Sequence, residues 1–324
     1  MDILEPLEAG RLSLPTRIVV PPMATQSTEA GLPGGRTIAH YEAFAQNPLV
    51  GLIITEHSFV DPAGRADPYQ MSFATDGVVP AQARLMAAVH AANPRVRLFA
   101  QLNHAGLNTS EAITGSPLVS ASSLRTQEGT SRALSTKEIA RIEDEFAAAA
   151  RRVREAGYDD VELHSAHGYL LNQFFSPLTK FRTDAYGLQS VQSRTHFLAE
   201  TVRKVRAAVG DDFPVSVRLG GSDYAEGGST IADAVEAARI LERDGVDLVN
   251  LSGGLNVYMR RGHREPGWFA DMSTAVRRAT HTPVMLAGGV RTPEQARRLL
   301  DDGAADLIGV GRAMLRNPRW GMQP

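Results

Sequence analysis

The chain has no cysteine, which excludes disulfides, thiolate metal ligands and thiol nucleophiles together. It has no surplus of either charge: 34 Lys+Arg against 36 Asp+Glu leave a formal net charge of −2. Nucleic acid and anionic membrane surfaces are therefore poor partners. No apolar run comes near the roughly 20 residues of a membrane-spanning helix. The opening MDILEPLEAG carries acids where a secretory signal has a basic and then an apolar stretch, so a soluble cytoplasmic protein is the expectation. The composition, 43% hydrophobic and 22% charged over 324 residues, is that of a globular chain long enough for one large domain or two modest ones.

Short apolar runs alternate with helical patterns along the whole length. Residues 17–23 (RIVVPPM), 50–60 (VGLIITEHSFV), 97–104 (RLFAQLNH), 160–166, 214–220 (PVSVRLG), 247–254 (DLVNLSGG), 283–289 (PVMLAGG) and 306–312 (DLIGVGR) read as strands. Helical patterns fall at 35–46, 79–92, 193–210 and 269–280. Three further helices have readable starts. Ser135 with Glu138 forms a capping box, Thr230 with Asp233 caps a helix ending near 245, and Thr292 is followed by Pro293 and Gln295. A Ser/Thr/Gly-rich loop covers 105–134. Near-continuous apolar strands predict a parallel sheet, and eight strand–helix units predict a (β/α)₈ TIM barrel, with a doubly wound open sheet as the rival. No linker interrupts residues 10–312, so the reading is a single domain over 1–324, its eighth helix short or truncated.

Barrel enzymes build their sites from the C-terminal ends of the strands. At the seventh and eighth strand ends stand Gly288–Gly289 and Gly311–Arg312, which suit a phosphate: glycine permits close backbone approach, and the arginine adds charge. In VSVRLGG, alternation turns Arg218 away from Val217 and Leu219 and into the barrel, where it needs an anion. Arg218 with Gln101 would suit the pyrimidine edge of a flavin; an internal pair with Glu162 is the equal alternative. At the fourth strand end, residues 161–187 (VELHSAHGYLLNQFFSPLTKFRTDAYG) bring His164, His167 and Tyr169 together. Two histidines without a third ligand make a poor metal site. Schiff-base chemistry lacks a lysine in the mouth, since Lys137, Lys180 and Lys204 read as helix or outer loop.

With PTRIVVPPM, LFAQLNHAG, VSVRLGGSDYAEGG and PVMLAGGVRTPEQARRLLDDGAADLIGVGRAML in the same order, the chain resembles the Old Yellow Enzyme family of FMN-dependent ene-reductases. The resemblance runs from about residue 4 to 319, and the HxxHGYL…FxSPLxxxRTDxYG run is its most specific part. It implies FMN bound non-covalently across the mouth, with Gln101 and Arg218 on the ring. The backbones of Gly288, Gly289, Gly311 and Arg312, with the Arg312 side chain, would take the phosphate, and Pro22, Met23 and Ala24 would lie along the flavin. It further implies that NAD(P)H reduces the flavin, that His164 and His167 hold the carbonyl of a small enone, and that Tyr169 protonates its α-carbon.

Four departures from the family stand out. Ala24 replaces a hydrogen-bonding residue beside the flavin, with Thr25 a possible substitute. His57 lies near the flavin where small residues are common. Residues 186–194 (YGLQSVQSR) depart from the family run, and little follows Arg312. The basic loop carrying Arg260, Arg261 and Arg264 would bind nucleotide phosphates or an anionic substrate, a solvated loop being the plain alternative. The competing functions are a barrel of the 2,4-dienoyl-CoA/enoate reductase branch and a flavin-binding barrel without efficient turnover. A homo-oligomer is possible.

Overall fold

A computed structural model describes residues 2–255, 258–260 and 262–322. Eight strands form its centre: β1 (Ile18–Val20), β2 (Val50–Ile54), β3 (Arg97–Asn103), β4 (Asp160–Ser165), β5 (Val215–Ser222), β6 (Leu248–Gly253), β7 (Val284–Ala287) and β8 (Leu307–Gly309). Each is followed by a helix: α1 (Gly35–Ala45), α2 (Val79–Ala92), α3 (Thr136–Glu155), α4 (Val191–Val209), α5 (Ile231–Arg243), α6 (Ala270–Ala279), α7 (Pro293–Asp301) and α8 (Arg312–Arg316). Neighbouring strands pair in parallel from β4 through β8 to β1, β2 and β3. The ring then closes, with Val161 of β4 opposite Ala100 of β3 and Glu162 opposite Gln101. That pairing decides for the (β/α)₈ barrel over an open sheet.

The strands are apolar on both faces because both faces are covered. Outward residues such as Ile53, Leu98, Val161, Val217, Val249 and Leu286 belong to the core beneath the helices. Inward residues Val19, Leu52, Ile54, Phe99, Leu248, Met285 and Leu307 make a second cluster within the barrel. An antiparallel hairpin, Leu7–Ala9 with Leu12–Leu14, adds Leu7, Leu12 and Leu14 to it. Apolar packing thus fills most of the lower barrel, where buried Asp160 accepts from Ser216 Oγ at 3.1 Å, and the other polar inward residues lie in the upper part of β3–β6.

The capping boxes at Ser135, Thr230 and Thr292 all form. The fourth helix begins earlier than its pattern, at Val191, because Ser190 caps it by accepting the Ser193 N–H. Residues 50–60 are not one strand. After Ile54 the chain leaves the ladder and resumes at Ser58–Phe59, which pairs with Met71–Ser72 and with the end of β3. The interruption contains Glu56, whose carboxylate accepts both the backbone N–H (2.9 Å) and the hydroxyl (2.7 Å) of Thr25. Strands seven and eight also stop short of the sequence reading. Gly288 and Gly289 take φ values of 145° and 74°, which few side chains tolerate and which turn the chain out of the sheet.

Lys180 corrects another expectation. It follows the 3-10 turn Pro177–Thr179, yet its side chain is fully buried and Nζ has no hydrogen-bond partner. Burial, with Arg194 and Arg182 nearby, pulls its pKa down to about 7. The unfolded chain, with a lysine value of about 10.4, holds a proton that the folded chain lacks in the window between the two values. Stability therefore rises with pH across it. Lys180→Met should stabilise the protein most below pH 7, on the order of 1–3 kcal/mol, with the gain shrinking as pH approaches 10. Thermal melts at pH 6.5 and 9.5 check this; equal gains at both would show that Lys180 is not the titrating group.

Candidate active site

Alternation along β3–β6 turns Gln101, Glu162, His164, Arg218, Asn250 and Ser252 inward. Glu162 is wholly buried; its carboxylate accepts from Gln101 Nε2 at 2.7 Å and from Asn250 Nδ2 at 2.9 Å. Burial pushes its pKa up, while Arg218 and the two amides pull it back. The Arg218–Glu162 ion pair left open by the sequence does not form. Among the described residues Arg218 makes no ion pair, and its Nε is buried without a partner. A guanidinium in that state calls for an acceptor from outside the chain. Glu162 takes one N–H of the Gln101 amide, which leaves its second N–H and its oxygen to offer.

Two cavities lie at the mouth above this layer. The first, about 560 Å³, is lined by Pro22, Met23, Arg218, Gly288, Gly289, Gly311 and Arg312. A Cβ on Gly289 would fall 2.7 Å from Trp268 Nε1 and one on Gly288 3.1 Å from Trp268 Cβ, so neither position has room for a side chain. The Gly267 N–H donates to the Gly288 carbonyl at 2.7 Å, tying the loop that carries Trp268 to this turn. Arg312 stacks on the Trp268 ring, 4.8 Å from its centroid, and has no carboxylate partner among the described residues. Bare backbone beside a guanidinium that lacks a carboxylate can hold a phosphate, and Arg218 with Gln101 can hold a heterocycle edge that offers both acceptor and N–H. These residues fit FMN.

The second cavity, about 850 Å³, is lined by Ala24, His57, His167, Tyr169 and residues of the 105–134 loop. Tyr258 borders both cavities. The His164 ring lies 5.1 Å from that of His167 and 5.0 Å from that of Tyr169, centroid to centroid. Gln101 and His164 are 1% and 2% exposed and lie beneath, lining neither cavity. Burial drives the pKa of both His164 and His167 well below the usual range, and Arg218 adds to it, so both rings are neutral. Burial, then Asp67, pushes Tyr169 up to about 12, so it keeps its proton.

The backbone here is unusual. His167 has φ of 59° and Gly168 of 72°, the left-handed region a histidine seldom occupies. Asn108 fixes the turn by donating to the carbonyls of His167 (3.2 Å) and Gly168 (2.9 Å), and Gln173 donates to the latter at 2.7 Å. His167 Nε2 lies 2.7 Å from Ser252 Oγ, a link from the second cavity to the first. Ser252, Asn250 and Asn108 were not singled out in the sequence. For the first two the signal existed, since the alternation that turns Arg218 inward also applies to them.

Two expectations change. Thr25 cannot stand in for the missing group at Ala24, because its hydroxyl is committed to Glu56 and to Ser27 (2.6 Å). Arg260 is not free for a phosphate: it pairs with Asp271 at 2.8 Å and lies over the Tyr224 ring at 4.2 Å. Arg261 lies outside the described residues, and Arg264 is exposed.

The fold is a (β/α)₈ barrel, and its first cavity suits a flavin. The profile of the NADH:flavin oxidoreductase / NADH oxidase family matches residues 2–323, and the chain belongs to that family. FMN is accordingly its cofactor. An NADPH dehydrogenase of Halalkalibacterium halodurans is 33% identical over 318 residues, 95% of this chain and 89% of that one. An NADH oxidase of Thermoanaerobacter brockii is 36% identical over 324 residues, 96% of this chain and 48% of its own length. The chain thus spans about half the length of the NADH oxidase, and of a metal reductase of Desulforamulus reducens. Among solved structures, morphinone reductase in complex with tetrahydroNAD superposes with a TM-score of 0.84 at 28% identity, covering 99% of this chain and 89% of that one. The old yellow enzyme homologue from Zymomonas mobilis gives 0.82 at 26% identity, covering 98% and 90%.

The depressed histidines give a direct check. With His57 at about 4 and His164 and His167 well below 6.5, their imidazole resonances should not titrate between pH 6 and 8. Movement of any of the three in that range, followed by two-dimensional NMR, would contradict the neutral site.

Proposed function

We propose that the protein is an FMN-dependent reductase of C=C bonds conjugated to a carbonyl, acting on small enone-type compounds with NAD(P)H as hydride source. The observation that carries this reading is the meeting of two neutral imidazoles and a protonated phenol beside a cavity suited to FMN. When bound, FMN supplies hydride taken from NAD(P)H. The Gly288, Gly289, Gly311 and Arg312 backbones, with the Arg312 guanidinium, would take its phosphate, and Arg218 and Gln101 would take its pyrimidine edge. Pro22, Met23 and Ala24 would lie along the ring.

His164 and His167 hold the substrate carbonyl oxygen. Each neutral imidazole has one N–H to give, and the Ser252 bond to His167 Nε2 orients that ring. Negative charge grows on the oxygen as the β-carbon is reduced, and a fixed donor there is worth about 2.7–4 kcal/mol. Tyr169, protonated up to about pH 12, gives its proton to the α-carbon. Arg218, a cation without a counter-ion of its own, favours the electron-rich state of whatever lies against it.

The decisive experiment is anaerobic reduction of the FMN-loaded protein by NADPH or NADH, followed by cyclohexenone. Reoxidation by the enone is expected. Reduction without reoxidation would leave a flavin-binding barrel lacking turnover, and reoxidation by an unsaturated acyl-CoA alone would move the protein to the enoate reductase branch. Replacing both His164 and His167 by alanine should abolish the long-wavelength charge-transfer band that a bound phenol gives with FMN; an unchanged band would sink the carbonyl-clamp assignment. Tyr169→Phe should slow the oxidative half-reaction by roughly 10²–10⁴-fold and leave reduction by NAD(P)H unaffected, as stopped-flow traces of each half-reaction would show.

A further inference from the structure

His57 lines the second cavity with Ala24, His167 and Tyr169, its ring centroid 5.1 Å from that of Tyr169 and 6.1 Å from that of His164. One edge of the imidazole is occupied from behind. Gln70 Nε2 lies 2.8 Å from Nδ1 and Asn103 Nδ2 lies 3.1 Å from it. The direction of the first bond is fixed by the other end of Gln70, whose Oε1 accepts the Ala66 backbone N–H at 2.6 Å. The end facing His57 must then be the NH₂, which also donates to the His57 carbonyl at 3.1 Å. Nδ1 is therefore an acceptor, and the ring proton sits on Nε2.

Burial holds the imidazole at about 4, with Asp67 raising and Arg218 lowering it, so a single neutral tautomer is present at working pH. Among the described residues no protein group accepts from Nε2. Gln70 and Asn103 are 2% and 0% exposed. Two buried amides thus hold one ring in one orientation, and a satisfied buried network of this kind sets geometry firmly. The edge it presents to the cavity is a lone N–H donor.

We propose that His57 is a third hydrogen-bond donor of the substrate site, selecting alkenes that carry a second acceptor oxygen beyond the clamped carbonyl, such as enediones, cyclic imides and quinones. The inference rests on the carbonyl clamp proposed above. A compound held by its first carbonyl at His164 and His167 extends into the cavity that His57 and Tyr169 share. A second carbonyl there satisfies the Nε2–H; a methyl group of similar size leaves it unpaired. One neutral hydrogen bond discriminates between such near-isosteres by about ten-fold.

The test uses FMN-loaded protein and two phenols of similar shape, 4-hydroxybenzaldehyde and 4-methylphenol, each titrated through its charge-transfer band. Wild type, His57→Leu and His57→Gln are compared by the ratio of the two dissociation constants, which cancels differences in phenol acidity and in overall cavity shape. The preference for the aldehyde should fall about ten-fold in His57→Leu and return in His57→Gln, whose amide keeps an N–H. An unchanged ratio in His57→Leu, with both bands intact, overturns the role of His57 alone. Absence of a band with either phenol in wild type removes the carbonyl clamp, and this selection with it.

Discussion

Inside a closed barrel, the Arg218 guanidinium stands without a carboxylate of its own. The nearest candidate, Glu162, is drawn away by two amides, Gln101 at 2.7 Å and Asn250 at 2.9 Å. The consequence spreads through the site, because an unpaired positive charge in a poorly screened place acts on every titratable neighbour. Arg218 helps keep His57, His164 and His167 neutral and holds Glu162 and Tyr169 lower than burial alone would. A single absent ion pair thus prepares the first cavity for an electron-rich ligand and the second for donors that carry no charge. Neutral donors suit a carbonyl oxygen that gains negative charge only during reaction, since they do not trap anions beforehand.

The His167 and Tyr169 rings owe their placement to backbone that would be costly elsewhere. A histidine at φ 59° persists only when its surroundings over-determine it. Here they do so through Asn108 from the long loop after β3, and through Gln173 from the short helix Leu170–Phe175. The long loop is therefore both a wall of the second cavity and a clamp on the turn that carries His167.

Where the sequence was informative, the information was local. Strand alternation placed Arg218 and Gln101 inside the barrel, and the boxes at Ser135, Thr230 and Thr292 marked three helix starts to the residue. What it concealed depended on partners far along the chain. Nothing near Thr25 says that its hydroxyl belongs to Glu56, and nothing in the 3-10 turn says that Lys180 is buried. The tautomer of His57 depends on an amide thirteen residues away, whose own direction is set by Ala66. Glu162 shows the difference well: its neighbourhood to Arg218 could be read from register, but not the competition that Gln101 and Asn250 win.

The leucine hairpin and the second cavity lie at opposite ends of the barrel. Leu7, Leu12 and Leu14 join the inward apolar cluster and extend it beneath the barrel, away from the mouth. In the proposed reaction Tyr169 loses a proton at each turnover, and it lines the second cavity, from which a proton can return. By that route its resupply shares the mouth with arriving and departing ligands, and the enzyme recovers its acid where it lets the product out.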